Sequence, residues 1–188
     1  MSKEKLLLVG AGGFGCMAVE LATRQYDCAF ADDGRAAGET VCDVPVVGRV
    51  CDLSRLREEY GKLVVCVGSN AFRARVYEIA RTMEYEFPNI IAPSAYVSPF
   101  AKLGKGYVLM QNVCVQNGAV VGDGVLLNAG AEIHGGGAVD DYALIYTNSV
   151  VHTGARVGKL ARIGSNSTIG KNAIVPDGAE IPDCTAVR

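Results

Sequence analysis

Tryptophan is absent from this chain of 188 residues, histidine occurs only twice, proline six times, and neither sign of charge predominates. With 18 Lys and Arg against 20 Asp and Glu, no basic field exists to hold a nucleic acid or an anionic membrane by bulk electrostatics. No apolar run reaches the 18 or so residues that a membrane span needs. The opening MSKEKLLLVGAGG has a short apolar stretch cut off by glycines, without the length or cleavage site of a secretory leader. The seven cysteines are odd in number, scattered, and never in a C-x-x-C pair, so reduced thiols and a cytoplasmic setting are expected. Zinc requires clustered ligands, and two histidines far from most cysteines supply none, so no metal is expected.

What the chain has in excess is glycine, 23 residues against an average near 7%. The low proline content and the lack of a Gly-X-Y period exclude collagen and argue against a disordered linker. Glycine must therefore serve turns or close backbone approach.

A repeat divides the chain near Pro88–Ile91. Every sixth residue from Ile91, through Val97, Leu103 and Leu109 to Ile181 and Val187, is Val, Ile or Leu. The position four further on is nearly always small, and glycine often follows the aliphatic residue directly, as at Gly104, Gly122, Gly158 and Gly164. A period of six fits neither the 3.6 of a helix nor the alternation of long strands. It is the signature of a hexapeptide β-helix, in which six residues make one short strand and a turn, and three such units close a triangular coil. No residue is inserted or deleted in the repeat, so about five smooth coils are expected over 89–188.

The first 88 residues alternate strands and helices, which implies a parallel α/β sheet. Strands are expected at Lys5–Val9, around Ala29–Ala31, at Leu63–Val67 and at Glu86–Ile90. Helices are expected at Cys16–Thr23, from a Ser54 cap to about Tyr60, and over Ala71–Met83 with Arg73, Arg75 and Arg81 outward. At this length the segment is half of a doubly wound, Rossmann-like fold.

Gly10, Gly12 and Gly15 form G-x-G-x-x-G between a strand and a helix, a turn whose helix N-terminus offers unpaired N–H groups to phosphate. Asp32 and Asp33 follow at the end of the next strand, placed to accept hydrogen bonds from ribose or base N–H groups. Gly68-Ser69-Asn70, with Arg73 nearby, ends a further strand where open α/β sheets line their crevice.

In the repeat, His134 and His152 are one full coil apart and fall in one column with Ser98, Gln116 and Gly170. An acyl-transfer enzyme needs a base near neutrality, and histidine is the usual one. Gly135-Gly136-Gly137 interrupts the pattern beside them, as where a ligand approaches closely. Asn128, Glu132, Asp140, Asp141 and Tyr146 make a polar set on neighbouring turns.

The order of VGAGGFG, DD, VPVVG, VCVGSNAFR and APSAYVSPFAKLG, followed by hexapeptides, resembles the sugar O- or N-acyltransferases of the sialic acid O-acetyltransferase and PglD-like family over essentially the whole chain. The resemblance implies a homotrimer of left-handed β-helices, acetyl-CoA bound in the groove between adjacent helices, and an amino- or hydroxy-sugar, often UDP-linked, presented by the N-terminal domain. It places the nucleotide-sugar on Gly10, Gly12, Gly13, Asp32, Asp33, Gly68 and Asn70, with Asn128 also in substrate contact. Family members read N-T-G-A-x-[IV]-[DE]-H-D-C-x-[IV]-G-[DE], whereas this chain reads Asn128-Ala-Gly-Ala-Glu-Ile-His134-Gly135-Gly-Gly-Ala-Val-Asp-Asp141. His134 falls on the family's acidic position and Gly135 on its catalytic histidine, while a second family histidine falls on Leu144. The repeat is also about one coil shorter than the family's and lacks its G-[VN]-P-[AS] ending.

The leading expectation is acetyl transfer from acetyl-CoA to a sugar amine or hydroxyl, with His134 as base and His152 and Gln116 as supporting residues. The alternative is a non-catalytic trimeric scaffold or nucleotide-sugar binder, motivated by Gly135. An NAD-dependent oxidoreductase rests on the glycine loop alone and lacks a hydride-transfer partner.

Overall fold

The computed structural model describes residues 3–188, in two compact units that divide between Ile90 and Ile91. In the first, β1 (Glu4–Val9), β2 (Tyr26–Ala31), β3 (Thr40–Val41), β4 (Val44–Gly48) and β5 (Lys62–Val65) make a sheet ordered β3-β4-β2-β1-β5. It is parallel apart from the β3–β4 hairpin. The central strand β1 is a continuous apolar run, with Leu6, Leu7 and Leu8 fully buried, as expected of a parallel strand covered on both faces. The chain leaves β1 through α1 (Gly13–Ala22) to β2 on one side and later returns to β5 on the other. The carboxyl end of β1 is therefore the topological switch point of the sheet, where open α/β sheets bind ligands.

Several local expectations are corrected. No helix starts from a Ser54 cap: a 3₁₀ turn at Val50–Asp52 leads into a four-residue helix α2 (Leu53–Leu56) whose N-cap is Asp52. Glu86–Ile90 is not a strand, since Glu86 makes only an isolated bridge to Lys62, and Ile90–Ile91 is the first strand of the repeat. In α3 (Asn70–Thr82) Arg73 is buried rather than outward. Its guanidinium turns back under the start of the helix, donating to the Val67 carbonyl at 2.8 Å and the Asn70 side-chain oxygen at 2.9 Å.

The second unit is a three-sided parallel β-helix, with strands of two residues stacked in sheets of six, five and six. Each strand ends on one of the sixth-position aliphatics, and each pairs with the strand eighteen residues on, as in Cys114↔Glu132 and Glu132↔Val150. Val115, Leu127, Ile133, Ile145, Val151 and Ile163 are completely buried and fill the prism. One corner of each hexapeptide takes a left-handed backbone, from Gly106 through Asn112 and Gly118 to Cys184, including Tyr142 at φ 58° and Leu160 at φ 62°. Glycine directly after the aliphatic residue has a separate cause. A side chain at Gly164 would come within 2.5 Å of the Asp183 backbone nitrogen one coil on, and Asp183 in turn accepts the Ser165 N–H at 2.7 Å. The same latch joins Gly104 to Asp123 and Gly158 to Asp177.

Candidate functional site

At the switch point, the Gly10 N–H donates to the Ala31 carbonyl and Cys66 N–H to the Val9 carbonyl, tying the ends of β1, β2 and β5 together. Gly10 has φ 102°, and a Cβ there would meet Val67 at 2.6 Å, while one at Gly15 would collide with the Gly10 carbonyl oxygen. These two glycines are required by the fold. Gly12 and Gly13 are not, because a Cβ at either meets nothing. Gly12 caps α1 without a side-chain partner for its first N–H groups.

A cavity of about 300 Å³ opens here, lined by Gly10, Asp32, Asp33, Val50, Val67 and Phe72 among others. The Asp32 carboxylate braces the loop, accepting Ala11 N–H at 2.7 Å and Gly34 N–H at 2.8 Å. Asp33 accepts Val50 N–H at 2.9 Å. Both carboxylates thus fix the wall of the cavity and present acceptor oxygens on it. Gly68 lies on the turn before α3, Ser69 caps the helix, and Asn70, its first residue, holds Arg73. The turn and the start of α3 reach the cavity through Val67 and Phe72 respectively, two apolar residues that the motif reading passed over.

In the β-helix, Gln116, His134 and His152 lie in one column, as their spacing of eighteen requires, each backbone N–H bonded to the coil beyond. Glu132 and His134 flank the inward Ile133, and alternation places both on the same outer face. The His134 Nε2 lies 3.1 Å from Glu132 Oε2. The His134 ring packs edge to face on His152, centroids 4.8 Å apart. Gln116 Oε1 accepts the Gly135 N–H at 3.1 Å, pinning the glycine corner. Cys114 shares this face, but burial first and then the Glu132 charge push its thiol up from its ordinary value, so it is poorly suited as a nucleophile.

The rest of the polar set disperses. Asn128 turns its side-chain oxygen onto the following Ala129 N–H at 2.9 Å. Asp141 accepts Asp123 N–H at 2.9 Å in the coil latch, Asp140 lies 3.8 Å from Arg156, and Tyr146 lies beneath Arg162. Only Glu132 joins the histidines, and its signal was the i, i+2 spacing to His134 on a strand. Among the described residues no group of three or more His, Cys, Asp or Glu is placed to hold a metal ion, and no helix is long and apolar enough to cross a membrane.

Residues 5–80 match the family model of the PglD N-terminal domain. The acetyltransferase domain of PglB from Neisseria gonorrhoeae is 31% identical and superposes with a TM-score of 0.93, covering 99% of this chain and 92% of that one. This chain belongs to the PglB- and PglD-like family of hexapeptide-repeat sugar acetyltransferases. The repeat is accordingly the left-handed β-helix of that family. The same gonococcal domain in complex with acetyl coenzyme A is 32% identical at TM-score 0.88, over 98% and 96% of the two chains. A mutant GDP-perosamine N-acetyltransferase from Caulobacter crescentus, in complex with CoA and GDP-perosamine, is 26% identical at TM-score 0.67, over 97% and 92%. No curated protein matches the sequence.

Proposed function

We propose that this chain transfers an acetyl group from acetyl-CoA to an amino or hydroxyl group of a nucleotide-linked sugar. The first unit would hold the nucleotide at the glycine-loop cavity, the second would carry the base, and the working form would be a cytoplasmic homotrimer. Relatives bound to acetyl coenzyme A and to CoA with GDP-perosamine support the two substrates. The observation that carries the catalytic reading is the Glu132–His134 pair at 3.1 Å.

A carboxylate only accepts hydrogen bonds, so the neutral imidazole places its proton on Nε2 and leaves a lone pair on Nδ1. Nδ1 takes the proton from the sugar amine or hydroxyl as that atom attacks the thioester carbonyl carbon. A tetrahedral oxyanion forms, stabilised by a backbone N–H. Its collapse breaks the carbon–sulfur bond, and the departing CoA sulfur recovers the proton from the imidazolium. The positive charge held in between lies beside Glu132, which favours it. Gly135 at the family's histidine position leaves the base role to His134, one residue earlier on the outer face.

The test is steady-state kinetics with acetyl-CoA and a panel of UDP- and GDP-linked amino and hydroxy sugars. Replacing His134 by Ala should cost about 10²–10⁴-fold in kcat, the usual loss of a general base. Unchanged kcat in that variant would exclude His134 as base. A wild-type protein that binds a nucleotide-sugar but no acetyl-CoA at millimolar concentration would instead be a scaffold.

A further inference from the structure

All seven cysteines are free thiols, and two of them, remote in sequence, meet in the first unit. Cys42 is exposed at the tip of the β3–β4 hairpin, where Val41 pairs with Val44 and Cys42 and Asp43 alone make the turn. Both turn residues have a left-handed backbone, φ 50° and 59°, a conformation that hairpins of this length usually give to Asn or Gly. A cysteine kept at such a strained position points to a use for its side chain. Cys16 is half-buried near the start of α1, its N–H bonded to the Gly12 carbonyl at 2.9 Å. Cys16 and Glu20, one helical turn apart, form the edge of α1 beside its buried row of Gly15, Val19 and Ala22. The Cys42 thiol meets this edge. It contacts the Cys16 thiol directly and lies in the field of the Glu20 carboxylate. The Cys16 contact, ahead of burial and the carboxylates nearby, pushes the Cys42 thiol up from its ordinary value, as when a neighbouring sulfur takes its S–H.

We propose that Cys16 and Cys42 are a redox-sensitive pair, which a small-molecule disulfide such as oxidised glutathione converts into a reversible staple between α1 and the hairpin. Cys42 is the exposed thiol and reacts first. Its thiolate attacks one sulfur of the oxidant, forming a mixed disulfide and releasing one glutathione thiolate. The Cys16 thiolate then attacks the Cys42 Sγ and expels the second glutathione thiolate. The two protein thiols lose two electrons and two protons, and one molecule of oxidant becomes two thiols. Bond formation draws two sulfurs in non-bonded contact to about 2.05 Å, so one element must move. The hairpin yields, because β3 is a strand of two residues at the edge of the sheet. The start of α1 does not, because Gly15 lies against the Gly10 carbonyl, and Gly10 is tied to β2. A crosslink that closes about 27 residues therefore restrains the hairpin and leaves the glycine loop in place.

The test uses the full chain carrying Cys51→Ser and Cys184→Ser, which removes the other exposed thiols, treated with oxidised glutathione at about pH 8.5 to supply thiolate. Peptide mapping by mass spectrometry should find Cys16 and Cys42 joined within one chain, and dithiothreitol should reverse the link. The Gly38 N–H donates to the Val46 carbonyl and the Val46 N–H to the Glu39 carbonyl, both at 2.8 Å. In the linked protein these two amides should exchange hydrogen at least about tenfold more slowly, with exchange at Cys16 unchanged. Adding Cys16→Ser or Cys42→Ser should abolish the slowing under the same treatment. A Cys42–glutathione adduct that persists without the link would overturn the pair, as would a disulfide from either residue to another cysteine. A link that forms while the Cys16 amide exchanges faster would mean that α1 is pulled toward the hairpin, and would overturn the staple. Equal slowing at Gly38 and Val46 in the Cys16→Ser protein would put the effect on bound glutathione and overturn it too.

Discussion

His152 presents its ring to His134 across one coil, centroids 4.8 Å apart and planes at 76°. With Glu132 holding Nε2 at 3.1 Å, the His134 ring is fixed both along its plane and against its side. A base that must meet a transient geometry gains from such restraint, because small misplacements are costly in rate. An edge-to-face aromatic pair is worth about 0.5–1.5 kcal/mol beyond its buried area. His152→Ala should therefore lower kcat up to about tenfold with KM for acetyl-CoA unchanged. His152→Phe keeps the packing without a titratable nitrogen and should recover most of the rate. If Phe restored nothing, His152 would be acting through its nitrogens, and packing would be the wrong account.

The glycine loop separates into residues the fold needs and residues it does not. Gly15→Ala would drive a methyl group into the Gly10 carbonyl, where backbone cannot yield cheaply, and should lower the stability of the first unit by several kcal/mol. Gly13→Ala meets open space at the first residue of α1, where alanine is the better helix former. Its melting temperature should equal or exceed the wild type's, while UDP-sugar affinity falls if the ligand approaches the loop closely. Thermal unfolding and calorimetry on the two variants would separate these effects. Unchanged affinity in Gly13→Ala would place the phosphates elsewhere.

Coil stacking makes a prediction in the second unit. Gly164 lies against the Asp183 backbone, with room for no Cβ, and the Asp183 carboxylate takes the Ser165 N–H. Gly164→Ala should be clearly more destabilising than Asp183→Ala. The latter removes one hydrogen bond at an exposed corner, about 0.5–1.5 kcal/mol. Urea titration of both variants would show the order, and a reversed order would mean that the terminal coils separate at little cost.

The period of six was legible in the sequence because one buried aliphatic per strand is an absolute requirement of a narrow prism, and no insertion blurred it. The Gly–Asp latch was not, since it joins residues nineteen apart through backbone contact, and Gly104 or Gly158 alone shows only that something is close. In the first unit the β1–Gly10 turn was readable because its glycines answer to sterics. The burial of Arg73 ran against its charge, and it became possible only where Val67 and Asn70 supplied oxygens to its guanidinium. The site followed the same rule. Column positions such as His134 over Gln116 come straight from counting, whereas the Glu132 contact required knowing that the corner leaves both side chains on one face.

Alkaline pH should unfold this protein through groups that burial keeps protonated. Desolvation pushes the Cys66 thiol up from 9.0 to about 12 and the Cys28 thiol to about 11. Tyr85, whose hydroxyl donates to the Leu53 carbonyl at 2.7 Å, is moved from 10.0 to about 12. In the unfolded chain these groups lose their protons at ordinary values, so between the two sets of values the unfolded state binds fewer protons and gains as pH rises. Their contribution to stability is complete below pH 9 and is lost progressively toward pH 12, by about 1.4 kcal/mol for each pH unit and each group within its window. Denaturant titrations under reducing conditions at pH 8 and pH 10.5 should show this loss. Cys66→Ala should start less stable through its cavity, yet lose about 2 kcal/mol less over the same interval. An equal loss in both proteins would mean that Cys66 ionises without unfolding, and that its surroundings in β5 and the glycine turn admit water.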